Sequence, residues 1–172
     1  MTRLPLVLEP QVPPEMKMAY QGVNQAESGL TGTYQALFAS PKTASQLANL
    51  DQLLRHQVGL EPWVRLTVAL TVAHERDNQA LWASLEPLAR EAGVSDTVID
   101  AIAAGTAPRG LLPKEGIWAH FAKEVLSNQV RDSTWQAITH LVGDTGAINL
   151  AITVCYYEMM ARLNGTFALE TA

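Results

Sequence analysis

The sequence predicts an all-α fold, and three observations support this prediction. Apolar residues recur at helical spacing, as where Leu47, Leu50 and Leu54 fall on one side of a predicted helix. No segment alternates apolar and polar residues for long enough to predict a strand. Turn signals built on Gly or Pro interrupt the chain about every ten to twenty residues, a spacing that suits helices of ordinary length.

The first half of the chain predicts four helices. Ser40 and Pro41 supply an N-cap and a first-turn proline for the second of them, which stops at Gly59. The third follows Glu61, is apolar on nearly all sides and is expected at the centre of the core. Asp77 or Asn78 caps the fourth. The expected ranges are 16–25, 41–58, 62–76 and 79–92.

The second half predicts four more helices. Ser95 precedes a short one, and the next is amphipathic, with Trp118 and Phe121 inward. Ser133 and Gln136 match the capping-box pattern at the start of the seventh helix. The last is long and apolar. The expected ranges are 98–104, 114–128, 133–142 and 145–164.

Length and composition predict one soluble domain. The chain has 172 residues, of which 48% are hydrophobic and 17% charged, enough apolar side chain for one core. We expect a proline-rich, extended arm at 1–14 and a single domain at 15–172. The net charge of −5, without a Lys/Arg cluster, argues against nucleic acid and membranes as partners.

A single cysteine, Cys155, excludes an internal disulfide. We expect it to be a small buried residue of the last helix. The N-terminus lacks the pattern of a signal peptide, and we expect a cytoplasmic location.

One window of the sequence, followed by several shorter matches, resembles a known family. The matching positions are Pro62, Arg65, Trp82, Glu86, Gly93, Val94 and Ser95, then the segments 98–102, 115–126, 130–135 and 156–164. In this order they resemble the carboxymuconolactone decarboxylase and alkylhydroperoxidase-D (AhpD-like) group. The resemblance implies an AhpD-like orthogonal array of about six to eight helices. It also implies a homo-oligomer, a trimer or hexamer, with a dimer as a further option.

The residues at the reactive positions of that group differ here. The decarboxylases place Glu and His four residues apart where this chain has Leu81 and Leu85. The peroxidases have Cys-x-x-Cys-x-x-x-His and an earlier glutamate at the positions of Asn78, Leu81, Leu85 and Leu66. Without a pair of thiols, peroxidase turnover is excluded.

His74 and Glu75 are the candidate catalytic residues because they end the central helix close to these positions. His74 is a possible general base, with Asn78 as a polar anchor for a carbonyl. The alternative is a helix end whose His74 interacts with the last carbonyl groups while Glu75 is solvated. The segment does not form HExxH, and no histidine spacing predicts a metal site or cofactor.

The leucines at the reactive positions predict an apolar substrate pocket. We expect it to be lined by Leu66, Leu70, Asn78, Leu81, Trp82 and Leu85. Such a pocket favours an uncharged or weakly polar ligand and disfavours a carboxylate, because none of these side chains is a cation.

Two functions remain open at this point. The first is a divergent enzyme of the family, a lyase or hydrolase that acts on a small cyclic or carbonyl compound such as a lactone or β-keto acid. The second is a non-catalytic pseudoenzyme that binds a hydrophobic ligand or a partner protein as an oligomer. A polar cluster facing one cavity would favour the first function, and an apolar cavity with His74 turned to solvent would favour the second.

Overall fold

The computed structural model describes residues 2–24, 29–106 and 113–169, and within them all regular structure is helical. Two short 3-10 turns, at Glu9–Gln11 and Pro14–Met16, precede the helices. The α-helices are α1 (Lys17–Asn24), α2 (Thr31–Leu37), α3 (Pro41–His56), α4 (Pro62–Glu75), α5 (Gln79–Glu91), α6 (Asp96–Ala103), α7 (Pro113–Leu126) and α8 (Asp132–Phe167). The all-α prediction is confirmed.

Helix α4 is the centre of the fold. Every residue from Val64 to Ala73 is buried, and the helix packs against α5, α6, α7 and α8. A helix that is apolar on all sides is stable in water only when other elements surround it. The sequence of α4 therefore determines its central place.

The predicted caps were only partly right. Ser40 and Ser95 occupy N-cap positions without a side-chain capping bond, and the capping box expected at Ser133 was wrong, since α8 begins at Asp132 with Arg131 as its N-cap. Pro41 and Pro62 occupy the first turns of α3 and α4, where a missing N–H is tolerated. The side chain of Asn78 caps α5 by accepting a hydrogen bond from the amide of Leu81 at 3.0 Å. Gly59 has a φ of 71°, a left-handed conformation that suits glycine and ends the turn after α3.

Two elements differ from the prediction. Helix α2 was not predicted, because its sequence TGTYQAL contains Gly and Thr, which are weak helix formers. The seventh and eighth predicted helices form one element, α8, with a kink at Gly143 (φ 71°, ψ 172°) between the two predicted ranges. Residue 25, where the first predicted helix ends, and part of the connection between the predicted helices 98–104 and 114–128 lie outside the described residues.

The N-terminal segment lies on its own chain. The amide of Arg3 donates to the carbonyl of Phe167, and the amide of Val7 donates to that of Gln35, both at 2.9 Å. The hydroxyl of Tyr20 donates to the carbonyl of Val7 at 2.9 Å. These bonds attach the segment to α1, to α2 and to the end of α8.

Helix α8 carries an exposed apolar row. Leu141, Ile148 and Ile152 are 46%, 53% and 41% exposed. Cys155 is also exposed, so the prediction of a buried cysteine was wrong. By length and composition alone, α8 could cross a membrane, a test that core helices of soluble proteins also pass. The cytoplasmic location stays a prediction.

Candidate functional site

The leucines at the reactive positions are part of the hydrophobic core. Leu66 on α4 is 3% exposed, and Leu81 and Leu85 on α5 are 3% and 0% exposed. Leu70, one turn beyond Leu66, is fully buried. The contact between α4 and α5 is therefore apolar at these positions.

Asn78 is engaged in structural hydrogen bonds. Its side-chain oxygen caps α5, and its amide nitrogen donates to the carbonyl of Ala161 and to Oδ1 of Asn164, both at 3.3 Å. The residue is 2% exposed. The Asn78 side chain thus links α5 to α8, and its amide nitrogen already donates to two acceptors on α8.

His74 and Glu75 are the last two residues of α4. The His74 ring is half-buried and meets the ring of Trp82 edge-on, with centroids 6.3 Å apart. Within the described residues its nitrogens have no hydrogen-bond partner. Glu75 is exposed and forms an ion pair with Lys123 at 3.3 Å. Among the described residues the His74 imidazole thus makes no hydrogen bond, with its Nε2 lying beside Gly105, whereas the Glu75 carboxylate is paired.

The predicted pocket residues line separate cavities. Leu66 lines a cavity of about 190 Å³ between α4 and α5. Leu81 lines another, of about 260 Å³, together with Ser84 and Asn164. Neither cavity includes Leu70, Leu85 or Trp82 in its lining. The pocket that was expected to contain all six residues stays a prediction.

The cavity beside Leu66 contains a buried cation, Arg65. The other lining residues are Pro62, Leu88, Glu91 and Ala92. Arg65 is 5% exposed, and its Nη1 donates to the hydroxyl of Tyr157 at 2.8 Å. Its Nε is buried without a partner, and within the described residues the guanidinium has no carboxylate within ion-pair distance.

A neighbouring buried network does not neutralise Arg65. Asp51, which is fully buried, accepts a hydrogen bond from Arg55 Nε at 2.8 Å and one from Tyr156 Oη at 2.9 Å. Both carboxylate oxygens are occupied by these donors. Tyr34 extends the network through a 2.9 Å contact with the hydroxyl of Tyr156. Asp51 is therefore paired with Arg55, and within the described residues it forms no ion pair with Arg65.

Burial keeps the tyrosines of this network protonated. It raises the pKa of Tyr34, and it raises the pKa of Tyr156 well above its ordinary value with a further contribution from the charge of Asp51. Neither phenol can serve as an anion for Arg65 near neutral pH.

The sequence did not lead us to select Arg65 as a candidate site residue. It matched the family pattern and was treated as part of the scaffold. One signal could have identified it: Arg65 is the one Asp, Glu, Lys or Arg in the apolar run from Pro62 to His74. A charge in a helix that is apolar on all sides must be buried, and buried charges need a partner.

The described residues offer no group of three His, Cys, Asp or Glu side chains that could hold a metal ion. The polar side chains that line the cavity between α4 and α5 are Arg65 and Glu91.

Comparison with known proteins identifies the fold. No family profile matches the chain, and no curated protein matches it by sequence. The structure is similar to a crystal structure described as an alkylhydroperoxidase AhpD core, an uncharacterised peroxidase-related protein from Ralstonia eutropha JMP134. The TM-score is 0.79 at 16% identity, over 97% of this chain and 90% of that one. The expected AhpD-like helical fold is confirmed.

Proposed function

We propose that this protein binds a small organic carboxylate in the cavity between α4 and α5, with Arg65 as the residue that holds the carboxylate group. The observation that carries the proposal is the burial of Arg65 at 5% exposure with no carboxylate within ion-pair distance among the described residues. In this proposal the protein is a binding member of the AhpD-like fold rather than a thiol enzyme.

The electrostatic argument starts from the cost of burying a charge. An ion removed from water is destabilised by several kcal/mol unless an opposite charge and hydrogen bonds replace its hydration. Tyr157 gives Arg65 one neutral hydrogen bond. An anionic ligand would supply the missing charge, and a planar carboxylate matches the geometry of a guanidinium.

The walls of the cavity suggest the rest of the ligand. Leu66, Leu88 and Pro62 give it an apolar lining, and its volume of about 190 Å³ suits a molecule of few heavy atoms. Glu91 lies at the exposed side and would repel a second carboxylate near it. A monocarboxylate with a carbonyl or lactone group fits this lining. The proposal differs from the expectation of an uncharged ligand, which was based on six pocket residues that do not include Arg65.

The proposal includes the absence of thiol peroxidase activity. The chain has one cysteine. Although Cys155 is exposed, partial desolvation of its thiol, together with the charge of Glu158, raises the pKa of that thiol, which lowers the thiolate fraction. We expect no protein-dependent consumption of hydrogen peroxide with dithiothreitol, and no difference between wild type and Cys155→Ser. Turnover that is lost in Cys155→Ser would contradict this.

A second candidate function is a divergent carbonyl enzyme that uses His74 for proton transfer. It is favoured by the half-buried His74 ring, which has no hydrogen-bond partner within the described residues. This site would be separate from Arg65. The two residues are nine positions apart on α4, which places them about 13.5 Å apart along the axis and on opposite faces.

The test of this second candidate is a screen by proton NMR. Acetoacetate, a β-keto acid, and γ-butyrolactone, a lactone, would be incubated with the wild type, His74→Ala and the matched control His140→Ala. Protein-dependent conversion that His74→Ala loses and His140→Ala retains would support the enzyme. Conversion that His74→Ala retains in full would exclude His74 as its base.

We also propose that the protein is a homo-oligomer and that the exposed row of α8 contributes to the contact. Within this row Ile148 and Ile152, both beyond the kink at Gly143, are four residues apart and so lie on one face of the helix, as in a seam that pairs with another helix. Light scattering should give a multiple of 18.7 kDa. A monomeric mass at micromolar concentration would contradict this.

The ligand proposal is tested by comparing two molecules that differ in charge. Levulinate is a keto acid, and 4-oxopentanamide is its neutral amide. Isothermal titration calorimetry should detect saturable binding of levulinate and binding at least tenfold weaker for the amide, because a charged hydrogen-bonded pair contributes about 1.5–3 kcal/mol. Equal affinity for the two would contradict a carboxylate site.

A further inference from the structure

Helix α8 carries a seam of side chains beyond its kink. The members of the seam are exposed except Met159, which is partly buried. Steps of three and four residues alternate between them, which is the spacing of a coiled-coil seam and keeps them on one face of the helix. No Asp, Glu, Lys or Arg occurs from 145 to 157. The α8 seam consists of Thr145, Ile148, Ile152, Cys155, Met159 and Arg162.

The two ends of the α8 seam differ in charge. At its start, the exposed Asp144 forms no ion pair among the residues that the structure describes. At its other end, Glu158 pairs with Arg76 at 2.5 Å and with Arg162 at 2.9 Å, so one carboxylate balances two guanidinium groups. The seam therefore begins beside an unpaired negative charge and ends with an excess of positive charge.

A second copy of the α8 seam matches this pattern when it runs in the antiparallel direction. If the two-fold axis passes between residues 153 and 154, every member of the seam opposes another member of it. Apolar side chains then meet near the axis, and the Arg162 guanidinium of each copy lies beside the Asp144 carboxylate of the other. The opposed pairs are Ile152 with Cys155, Ile148 with Met159, and Thr145 with Arg162.

The same charges disfavour the parallel direction. A parallel pair would place the Asp144 carboxylates of the two copies together and their Arg162 guanidinium groups together, and like charges at close range repel. It would also align the two helix dipoles, whereas the antiparallel order opposes them. The charges at the ends of the seam therefore complement a second copy in the antiparallel direction.

We propose that two copies of the chain pair through antiparallel contact of their α8 seams, with Ile152 of one copy against Cys155 of the other. The inference rests on the proposed homo-oligomer and adds to it the face, the direction and the register of one contact. The pair would cover the Cys155 thiol, which the single chain leaves exposed.

The experiment uses disulfide cross-linking between two full-length chains. One is the wild type, whose single thiol is that of Cys155, and the other is Ile152→Cys/Cys155→Ser, which also has a single thiol. In the antiparallel register the thiols of two different chains face each other. Thiols of two identical chains are offset by three residues, about 4.5 Å along the axis, in addition to the separation of the helices. A disulfide tolerates a Cα separation of about 7 Å at most.

The two chains are produced separately and together in the same cells, purified, and oxidised in air with copper phenanthroline. Non-reducing electrophoresis then measures the covalent dimer, at twice 18.7 kDa. We expect the co-produced chains to form at least fivefold more covalent dimer than either chain alone. The matched control is Ile148→Cys/Cys155→Ser co-produced with the wild type. It should not exceed the single chains, because position 148 opposes Met159.

A second measurement tests the charges at the ends of the seam. Asp144→Asn should raise the dissociation constant of the pair about fivefold at low salt, since each two-fold pair loses two ionic contacts, and the difference should vanish in 1 M NaCl. Asp100→Asn, the same change on α6, should behave like wild type. Light scattering over a concentration series provides these values. This measurement decides alone if the Ile152→Cys/Cys155→Ser chain does not fold.

The possible results separate this inference from the homo-oligomer itself. A monomeric mass of the wild type would contradict both. An oligomer whose co-produced chains cross-link no better than each chain alone would overturn the antiparallel seam and leave the homo-oligomer standing. Wild type that cross-links by itself as readily as the co-produced chains would indicate a parallel pair and would also overturn the inference.

Discussion

Arg65 donates a hydrogen bond from Nη1 to the hydroxyl of Tyr157 at 2.8 Å, and this phenol is its one partner within the described residues. Burial raises the pKa of Tyr157, although the charge of Arg65 lowers it in part. The phenol therefore stays neutral near pH 7. It can position the guanidinium, but it cannot compensate its charge.

Tyr157→Phe should reduce the free energy of unfolding by about 1–3 kcal/mol, because it leaves a buried cation without its hydrogen bond. Urea denaturation followed by circular dichroism measures the change. Tyr20→Phe, which loses a hydrogen bond to the carbonyl of Val7, is the matched control and should lose about 1 kcal/mol or less. A Tyr157→Phe variant as stable as wild type would show that Arg65 does not depend on this contact.

Leu66→Glu should abolish levulinate binding, because it places a carboxylate on the wall of the same cavity as Arg65. An internal carboxylate would pair with the guanidinium and compete with the ligand. Leu66→Gln has the same shape without the charge and should bind levulinate within about threefold of wild type. Isothermal titration calorimetry measures the affinity of both variants for levulinate. Loss of binding in Leu66→Gln as well would indicate that shape rather than charge is responsible.

Asn78→Ala should destabilise the fold by about 1–2 kcal/mol, since the side chain caps α5 and ties it to Ala161 on α8. Asn78→Ser keeps a capping oxygen and should recover about half of the loss. Thermal and urea unfolding of the two variants provide the measurement. If both variants unfold like wild type, Asn78 is not a structural cap, and a role in the site would have to be considered again.

Glu158 should contribute stability that depends on pH. Burial raises the pKa of its carboxyl, but hydrogen bonds from Arg162 and Arg76 lower it by more, so the pKa is lowered overall. The contribution is then fully present above the unfolded pKa of about 4.3 and is lost as the pH falls through the lower folded value.

The matching variant is Glu158→Gln. It should be less stable than wild type by about 1 kcal/mol at pH 6 and similar to it near pH 2.5. Urea unfolding at the two values measures this difference, with Asp100→Asn, at an exposed residue of α6, as the control. A difference that does not change with pH would contradict the assigned pKa.

The sequence predicted most helices because their signals are local. Pro41, Pro62 and Asn78 mark helix starts through backbone chemistry that does not depend on the rest of the fold. Helix α2 escaped prediction because tertiary contacts hold it, including those of the fully buried Tyr34 and its bond to Tyr156. Local propensity contains no information about such contacts.

The site could be predicted only in part. The sequence shows that the reactive groups of the related family are replaced at Leu66, Leu81 and Leu85. It does not show that Arg65 lacks a carboxylate partner among the described residues, because that depends on the three-dimensional arrangement. The error at Cys155 has a similar cause. Residues 145–157 contain no Asp, Glu, Lys or Arg, so the pattern does not distinguish the buried face of α8 from its exposed face.

The most direct test of the carboxylate site is the calorimetric affinity of Arg65→Met for levulinate. Methionine keeps much of the apolar stem and removes the charge. Folding of the variant is checked by circular dichroism, and Arg90→Met, at an exposed arginine of α5, is the control. We predict that Arg65→Met loses at least tenfold in affinity while Arg90→Met binds like wild type. A folded Arg65→Met variant that binds levulinate as tightly as wild type would contradict the proposed function.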